Sequence, residues 1–97
     1  EVAKFPPVRR DIAVVVDETT PVQALLDTMN EAKNALVSEV ALFDIYRGKG
    51  VPESKKSLAF LVLMQDTQKT LTDAEADAVM SNLLALLKTK HGAELRN

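Results

Sequence analysis

The chain has 97 residues, 46% of them apolar and 27% charged, with 12 basic and 14 acidic side chains for a net charge of −2. One domain fits that length, and the apolar content excludes a disordered tail. No apolar run approaches the ~20 residues that span a bilayer, cysteine is absent and His91 is the single histidine, so disulfides, thiolate chemistry and a structural zinc site are not expected, nor is a strongly basic nucleic-acid binder.

Glu1 to Pro7 carries no apolar segment of the signal-peptide kind. Residues 1–10 read as a connecting arm, because Pro6-Pro7 is extended and fits neither a helix nor a central strand. Residues 11–97 read as the domain proper, one expected to belong to a longer polypeptide. Asp11 to Asp17 reads as a strand, with Ile12, Val14 and Val16 on one side and Ala13 and Val15 on the other. Thr20 is then the expected N-cap and Pro21 the first helical residue. Val22, Leu25, Leu26 and Met29 fall at helical spacing, which carries the first helix to about Asn34.

Leu36 to Tyr46 reads as a second strand. Val40 and Phe43 cannot both face a core in a regular strand, so a bulge or twist is expected near Ala41. Arg47 to Ser54 is a loop punctuated by Gly48, Gly50 and Pro52. Lys56 to Gln65 is the third strand, with Leu58, Phe60 and Val62 alternating against Ser57, Ala59 and Leu61; the face of Met64 stays open. Thr72-Asp73-Ala74-Glu75 spells a capping box. Ala76, Val79, Met80, Leu83, Leu84 and Leu87 follow as one stripe, and Lys88, Lys90, His91 and Gly92 close the second helix. Ala93 to Arg96 leaves room for a short last strand.

Strand, helix, strand, strand, helix, strand is the order of an α+β, ferredoxin-like βαββαβ sandwich, a four-stranded antiparallel sheet with two helices on one face. The bulky set Ile12, Val14, Val16, Phe43, Ile45, Leu58, Phe60 and Val62 is expected under the helices. The opposite parity leaves Ala13, Val15, Asp44, Tyr46, Ser57 and Ala59 on the open face, beside a loop region bearing Arg47, Lys49, Lys55 and Lys56. An aromatic on such a face is a surface on which single-stranded RNA bases stack. On topology alone, a half-polar face or one buried against another domain is the plainer reading, because fold does not dictate function.

Four segments then stand in a fixed order: Phe5-Pro6-Pro7-Val8-Arg9-Arg10-Asp11-Ile12-Ala13, Leu42-Phe43-Asp44-Ile45-Tyr46-Arg47-Gly48-Lys49-Gly50, Lys56-Ser57-Leu58-Ala59-Phe60 and Lys69-Thr70-Leu71-Thr72-Asp73-Ala74-Glu75. Together they closely resemble the ferredoxin-fold anticodon-binding family, the C-terminal domain of phenylalanyl-tRNA synthetase β subunits, over essentially the whole chain. The resemblance implies a parent ligase that attaches phenylalanine to its tRNA with ATP and magnesium, in bacteria with two α and two β subunits. It implies no cofactor and no catalytic residue in this domain, no membrane, and a cytoplasmic setting. Its partners are then the anticodon stem-loop of the phenylalanine tRNA, the rest of the β subunit and the catalytic α subunit. The family's stacking and reading of a guanine at the first anticodon position carries over to Ala13, Asp44, Tyr46 and Ser57. Arg9, Arg10, Arg47, Lys49, Lys55 and Lys56 are the cations expected near RNA phosphates. The family commonly has glycine where this chain has Ser54.

Other signals take plainer readings. Gly48-Lys49-Gly50 lacks the following helix of a Walker loop and reads as a hairpin. His91 has no evident orienting partner for catalysis and reads as a capping or solvated group. Asp73, Glu75 and Asp77 suit the start of a helix better than a metal. Met29 and Met80 read as core filler. Arg9, Arg10 and Asp11 fit a phosphate clamp and a structural ion-pair group equally well. A metabolite-binding regulatory domain of this topology would need self-association. An acylphosphatase-like hydrolase would need a glycine-rich anion loop where Asp17-Glu18-Thr19-Thr20 stands.

Overall fold

A computed structural model describes residues 5–96. The elements are β1 (Val8–Asp17), α1 (Val22–Ala32), β2 (Val37–Tyr46), β3 (Lys55–Met64), α2 (Asp73–His91) and β4 (Glu94–Leu95). One sheet runs in the order β2-β3-β1-β4 with every neighbouring pair antiparallel. This is the ferredoxin-like arrangement that the element order predicts.

The β1–β3 ladder is unbroken from Val8↔Met64 to Asp17↔Lys55. Residues 8–10, expected in the arm, are therefore strand. They find partners in Val62, Leu63 and Met64, so only the stretch before Val8 can act as an arm. The Gln65 side-chain amide donates to the Phe5 carbonyl at 2.6 Å, tying that stretch to the end of β3. The part of the expected arm at residues 1–4 lies outside the described residues.

Period-two alternation sends Ile12, Val14, Val16, Leu58, Phe60, Val62 and Met64 to the helices, where all are buried. Leu25 and Met29 of α1 and Ala76, Val79, Leu83 and Leu87 of α2 close over them. Burying a side chain such as Leu58 stabilises the fold by about 1.5–3 kcal/mol.

Two of the expected core residues do not join. Phe43 is 48% exposed and Ile45 42%. The cause is a bulge: Leu42 pairs with Phe60, Asp44 pairs with the adjacent Ala59, and Phe43 has no partner. The irregularity therefore falls at Phe43 rather than Ala41, with a second one between Val37 and Glu39. Val40 and Leu42 pack against the core in place of Phe43. Ile45 pairs with Leu58 and keeps its helix-side parity, but it sits at the edge of the sheet, where cover is incomplete.

Helix α1 also departs from expectation. Pro21, not Thr20, is the N-cap, and no side chain caps the helix. The Thr20 amide instead closes a turn onto the Asp17 carbonyl at 3.0 Å, which commits Thr20 to leaving β1. At its other end α1 stops at Ala32, because Asn34 makes a turn of its own. The Asn34 side-chain oxygen accepts from the Leu36 amide at 2.9 Å and its carbonyl from Val37 at 3.1 Å.

Helix α2 follows its sequence closely. The Glu75 amide donates to the Thr72 hydroxyl at 3.1 Å and the Thr72 amide donates back to the Glu75 carboxylate at 3.0 Å. Gly92 ends the helix in the left-handed region at φ 67°. The His91 imidazole does have a partner. Its Nε2 lies within hydrogen-bond distance of the Thr28 hydroxyl, 2.7 Å, and joins the two helices. Asp73 and Asp77 face Arg10, and Glu75 serves the cap.

Three outcomes check this account. Thr72→Ala removes the cap and is expected to lower stability by about 1 kcal/mol in a chemical melt. The Glu75 carboxyl is drawn from 4.5 down to about 2, first by the hydrogen bond from Lys69 and then by the Thr72 amide. A lowered native value means stabilisation that is complete above pH 4.5 and lost as pH falls toward about 2. The gap in melting temperature between wild type and Glu75→Gln should therefore be widest above pH 4.5 and shrink below it. Ser54 sits at φ 69°, in the left-handed region that favours glycine. Ser54→Gly relieves a strain of about 1–2 kcal/mol against an entropic cost of about 0.5–1 kcal/mol. A net gain of up to about 1.5 kcal/mol in the same melts is expected.

Candidate nucleic-acid interface

The cross-strand register builds the open face row by row. Asp44, Ala59 and Ala13 form one row, and Tyr46, Ser57 and Val15 the next. The four residues Ala13, Asp44, Tyr46 and Ser57 thus share one face across three adjacent strands. The Phe43 bulge does not disturb this, because the pairing resumes at Asp44. Asp44 and Tyr46 are two residues apart on one strand, about 6.5–7 Å.

Asp44 is exposed, and its carboxylate makes no hydrogen bond or ion pair among the described residues. Both oxygens are open to donors. Tyr46 is 36% exposed. Its hydroxyl donates to the Lys49 carbonyl at 2.9 Å, which fixes the ring against the β2–β3 loop. Gly48 makes that possible: a Cβ there would stand 3.2 Å from the Tyr46 hydroxyl, and its φ of 137° also favours glycine. Ser57 lies on the face by register but is only 3% exposed. Its hydroxyl is a floor group beneath larger neighbours rather than a projecting one.

Two side chains that the sequence reading did not place belong to the same face. The bulge turns Phe43 outward, and the Arg9 guanidinium lies 5.3 Å from its ring centroid. Arg96, just past β4, sets its guanidinium 4.7 Å from the Tyr46 centroid. An irregular strand parity was the sequence signal for Phe43. Arg96 had none, since it lies 50 residues from Tyr46 in the chain (96 − 46).

The expected phosphate-facing cations divide. Arg9 is on the open face, bonded to Asp11 at 2.8 Å. Arg10 is on the helix side, bonded to Asp73 at 3.0 Å and near Asp77, so it does not join Tyr46. Of the two readings of the Arg9-Arg10-Asp11 group, ion pairing is the one the geometry displays. Lys56 pairs across from Val16, is buried on the helix side and points to Glu18 at 3.9 Å. Arg47 grips Glu18 through two bonds of 2.5 and 2.6 Å. These bonds lower the Glu18 carboxyl and raise the Arg47 guanidinium from their ordinary values. Lys55 bonds Asp17 at 2.6 Å. Lys49 is exposed and makes no ion pair among the described residues. Exposed pairs of this kind add little stability and are screened by salt; their effect is to hold the loop beside Tyr46 and to mask its charge.

No helix among the described residues is long and apolar enough to cross a membrane.

The chain is 56% identical over 97 residues to the phenylalanine–tRNA ligase beta subunit of Nitrosospira multiformis, and 53% identical over 96 residues to that of Dechloromonas aromatica. It is 46% identical over 95 residues to that of Geobacillus kaustophilus. These matches cover 98–100% of this chain but 12% of each relative, so the chain spans about an eighth of their length. The profile of the ferredoxin-fold anticodon binding domain matches residues 3–96. The chain belongs to the ferredoxin-fold anticodon-binding domain family.

Proposed function

We propose that this domain binds the anticodon stem-loop of a phenylalanine tRNA on its open sheet face, stacking the first anticodon base on Tyr46 and reading it with Asp44. The observation that carries the reading is the pairing of an unengaged carboxylate with an exposed, loop-anchored aromatic ring on one strand of an uncovered sheet. A guanine presents two adjacent N–H donors on its Watson–Crick edge, and a carboxylate accepts both. Adenine lacks that pair. A base on the Tyr46 ring brings its edge toward Asp44, and the small Ala13 and Ala59 beside it leave room. Single-stranded RNA loops are recognised by this combination of stacking and edge hydrogen bonds.

Arg9, Lys49 and, on release from its acidic partner, Arg47 are the cations placed to meet phosphates around that face. The domain contributes no reacting group. The parent is a ligase β subunit that uses ATP and magnesium outside this domain. The domain acts with the rest of that subunit and the catalytic α subunit in a cytoplasmic assembly of two α and two β chains, and it holds the tRNA so that the distant acceptor end reaches the catalytic centre. The names of the relatives support this reading.

The two central residues have separable effects. Tyr46→Ala should weaken stem-loop binding by about 1–3 kcal/mol with guanine or adenine at the first anticodon position alike. Asp44→Ala should weaken the guanine form selectively and narrow the guanine–adenine gap by about 1–3 kcal/mol. Wild type, both single variants and the double variant, each titrated with both stem-loops, check this. An unchanged guanine preference in a folded Asp44→Ala protein contradicts the base-reading role.

A further inference from the structure

The Tyr46 ring is capped on one face. The Arg96 amide donates to the Ala13 carbonyl at 2.8 Å, which continues the β4–β1 pairing by one bond and sets Arg96 opposite Ala13 on the open side. Tyr46 rises from β2, at the far edge of the sheet. Three strand spacings, on the order of 14 Å, separate those two edges. Neither side chain crosses that distance alone. They meet between the two edges, with the guanidinium 4.7 Å from the ring centroid. An Arg96 Nη also lies 3.8 Å from the place a Gly50 Cβ would occupy, so the loop leaves space for it.

A base stacking on that face of Tyr46 must occupy the layer where the guanidinium now lies. We propose that Arg96 is a clamp for the stacked base: it lifts by one layer when RNA enters and closes on the outer side, giving a ring–base–guanidinium sandwich. The inference rests on the stem-loop reading above and adds a specificity-independent positioning residue to it. The chemistry suits the task. A guanidinium is planar and weakly hydrated and stacks on aromatic systems, whereas an ammonium is a compact, strongly hydrated charge. Arg96 is held through its backbone, so replacing its side chain leaves the β4–β1 pairing in place. Its side chain is anchored to no acidic group among the described residues, unlike Arg10, Arg47 and Lys55.

The test has a built-in reporter, because the chain contains one tyrosine and no tryptophan. Tyrosine emission therefore reports Tyr46 alone. Wild type, Arg96→Ala, Arg96→Lys and Tyr46→Ala are titrated with a fluorescently labelled phenylalanine tRNA anticodon stem-loop over a series of salt concentrations. Both Arg96 variants should bind roughly three- to thirtyfold more weakly than wild type, with an unchanged slope of log affinity against log salt. In the free proteins their Tyr46 emission should be more open to acrylamide quenching, and circular dichroism should match wild type. Affinity that is unchanged or improved in Arg96→Ala overturns the clamp, the latter making Arg96 a competitor of the base. Rescue by lysine, with the alanine variant losing about 0.7 from the salt slope, overturns it in favour of a phosphate contact. If Tyr46→Ala weakens binding while Arg96→Ala does not, the clamp alone fails. If wild type and Tyr46→Ala bind alike, the stem-loop reading fails and takes the clamp with it.

Discussion

The unbroken antiparallel ladder between β1 and β3 governs everything else in this domain. Its register pairs Ile12 with Phe60 and Val14 with Leu58 on one side, and Ala13 with Ala59 and Val15 with Ser57 on the other. Because side chains alternate with a period of two, a slip by one residue would exchange the two faces completely. The large side chains go to the helices and supply the core. The small ones form a shallow floor at the centre of the exposed face. The proposed recognition then depends on what the flanking strands raise around that floor: Asp44 and Tyr46 from β2, and Arg96 from the end of β4.

The β2 bulge refines this plan. It expels Phe43 from the core side, restores pairing at Asp44 and leaves the alternation of Asp44 and Tyr46 intact. The open face thereby gains a second aromatic with an arginine beside it. Bulges commonly re-aim side chains next to binding sites. Here the bulge lengthens the aromatic surface along β2 without displacing Asp44 and Tyr46.

Charge plays a smaller part than a count of cations suggests. The domain carries a net charge of −2, and Arg10, Arg47 and Lys55 are each bonded to a carboxylate. Stacking and directed hydrogen bonds therefore carry most of the recognition proposed here, and phosphate neutralisation is a secondary contribution. Much of this architecture was legible in the sequence. The capping box at Thr72, the left-handed Gly92 and the alternation of β1 and β3 are local patterns, and each determined its element. The shared face of Ala13, Asp44, Tyr46 and Ser57 followed from that alternation. The rest depended on contacts between distant segments. Thr20 looked like a cap until its amide was committed to Asp17. Phe43 and Val40 conflicted in parity, which signalled a bulge but not its position. The engagement of Arg47 by Glu18 and the meeting of Arg96 with Tyr46 join strands that only the assembled sheet brings together.

The central claim is that the uncovered sheet face, and not the helical layer, meets the RNA. Its most direct test is a two-dimensional NMR titration of the isotopically labelled domain with the phenylalanine tRNA anticodon stem-loop. The account predicts that the largest shift changes fall on Ala13, Asp44, Tyr46, Ser57 and the Arg96 side chain, with the signals of Leu25, Met29, Val79 and Leu83 unmoved. Changes concentrated on the exposed surfaces of α1 and α2, with the open face silent, would contradict it.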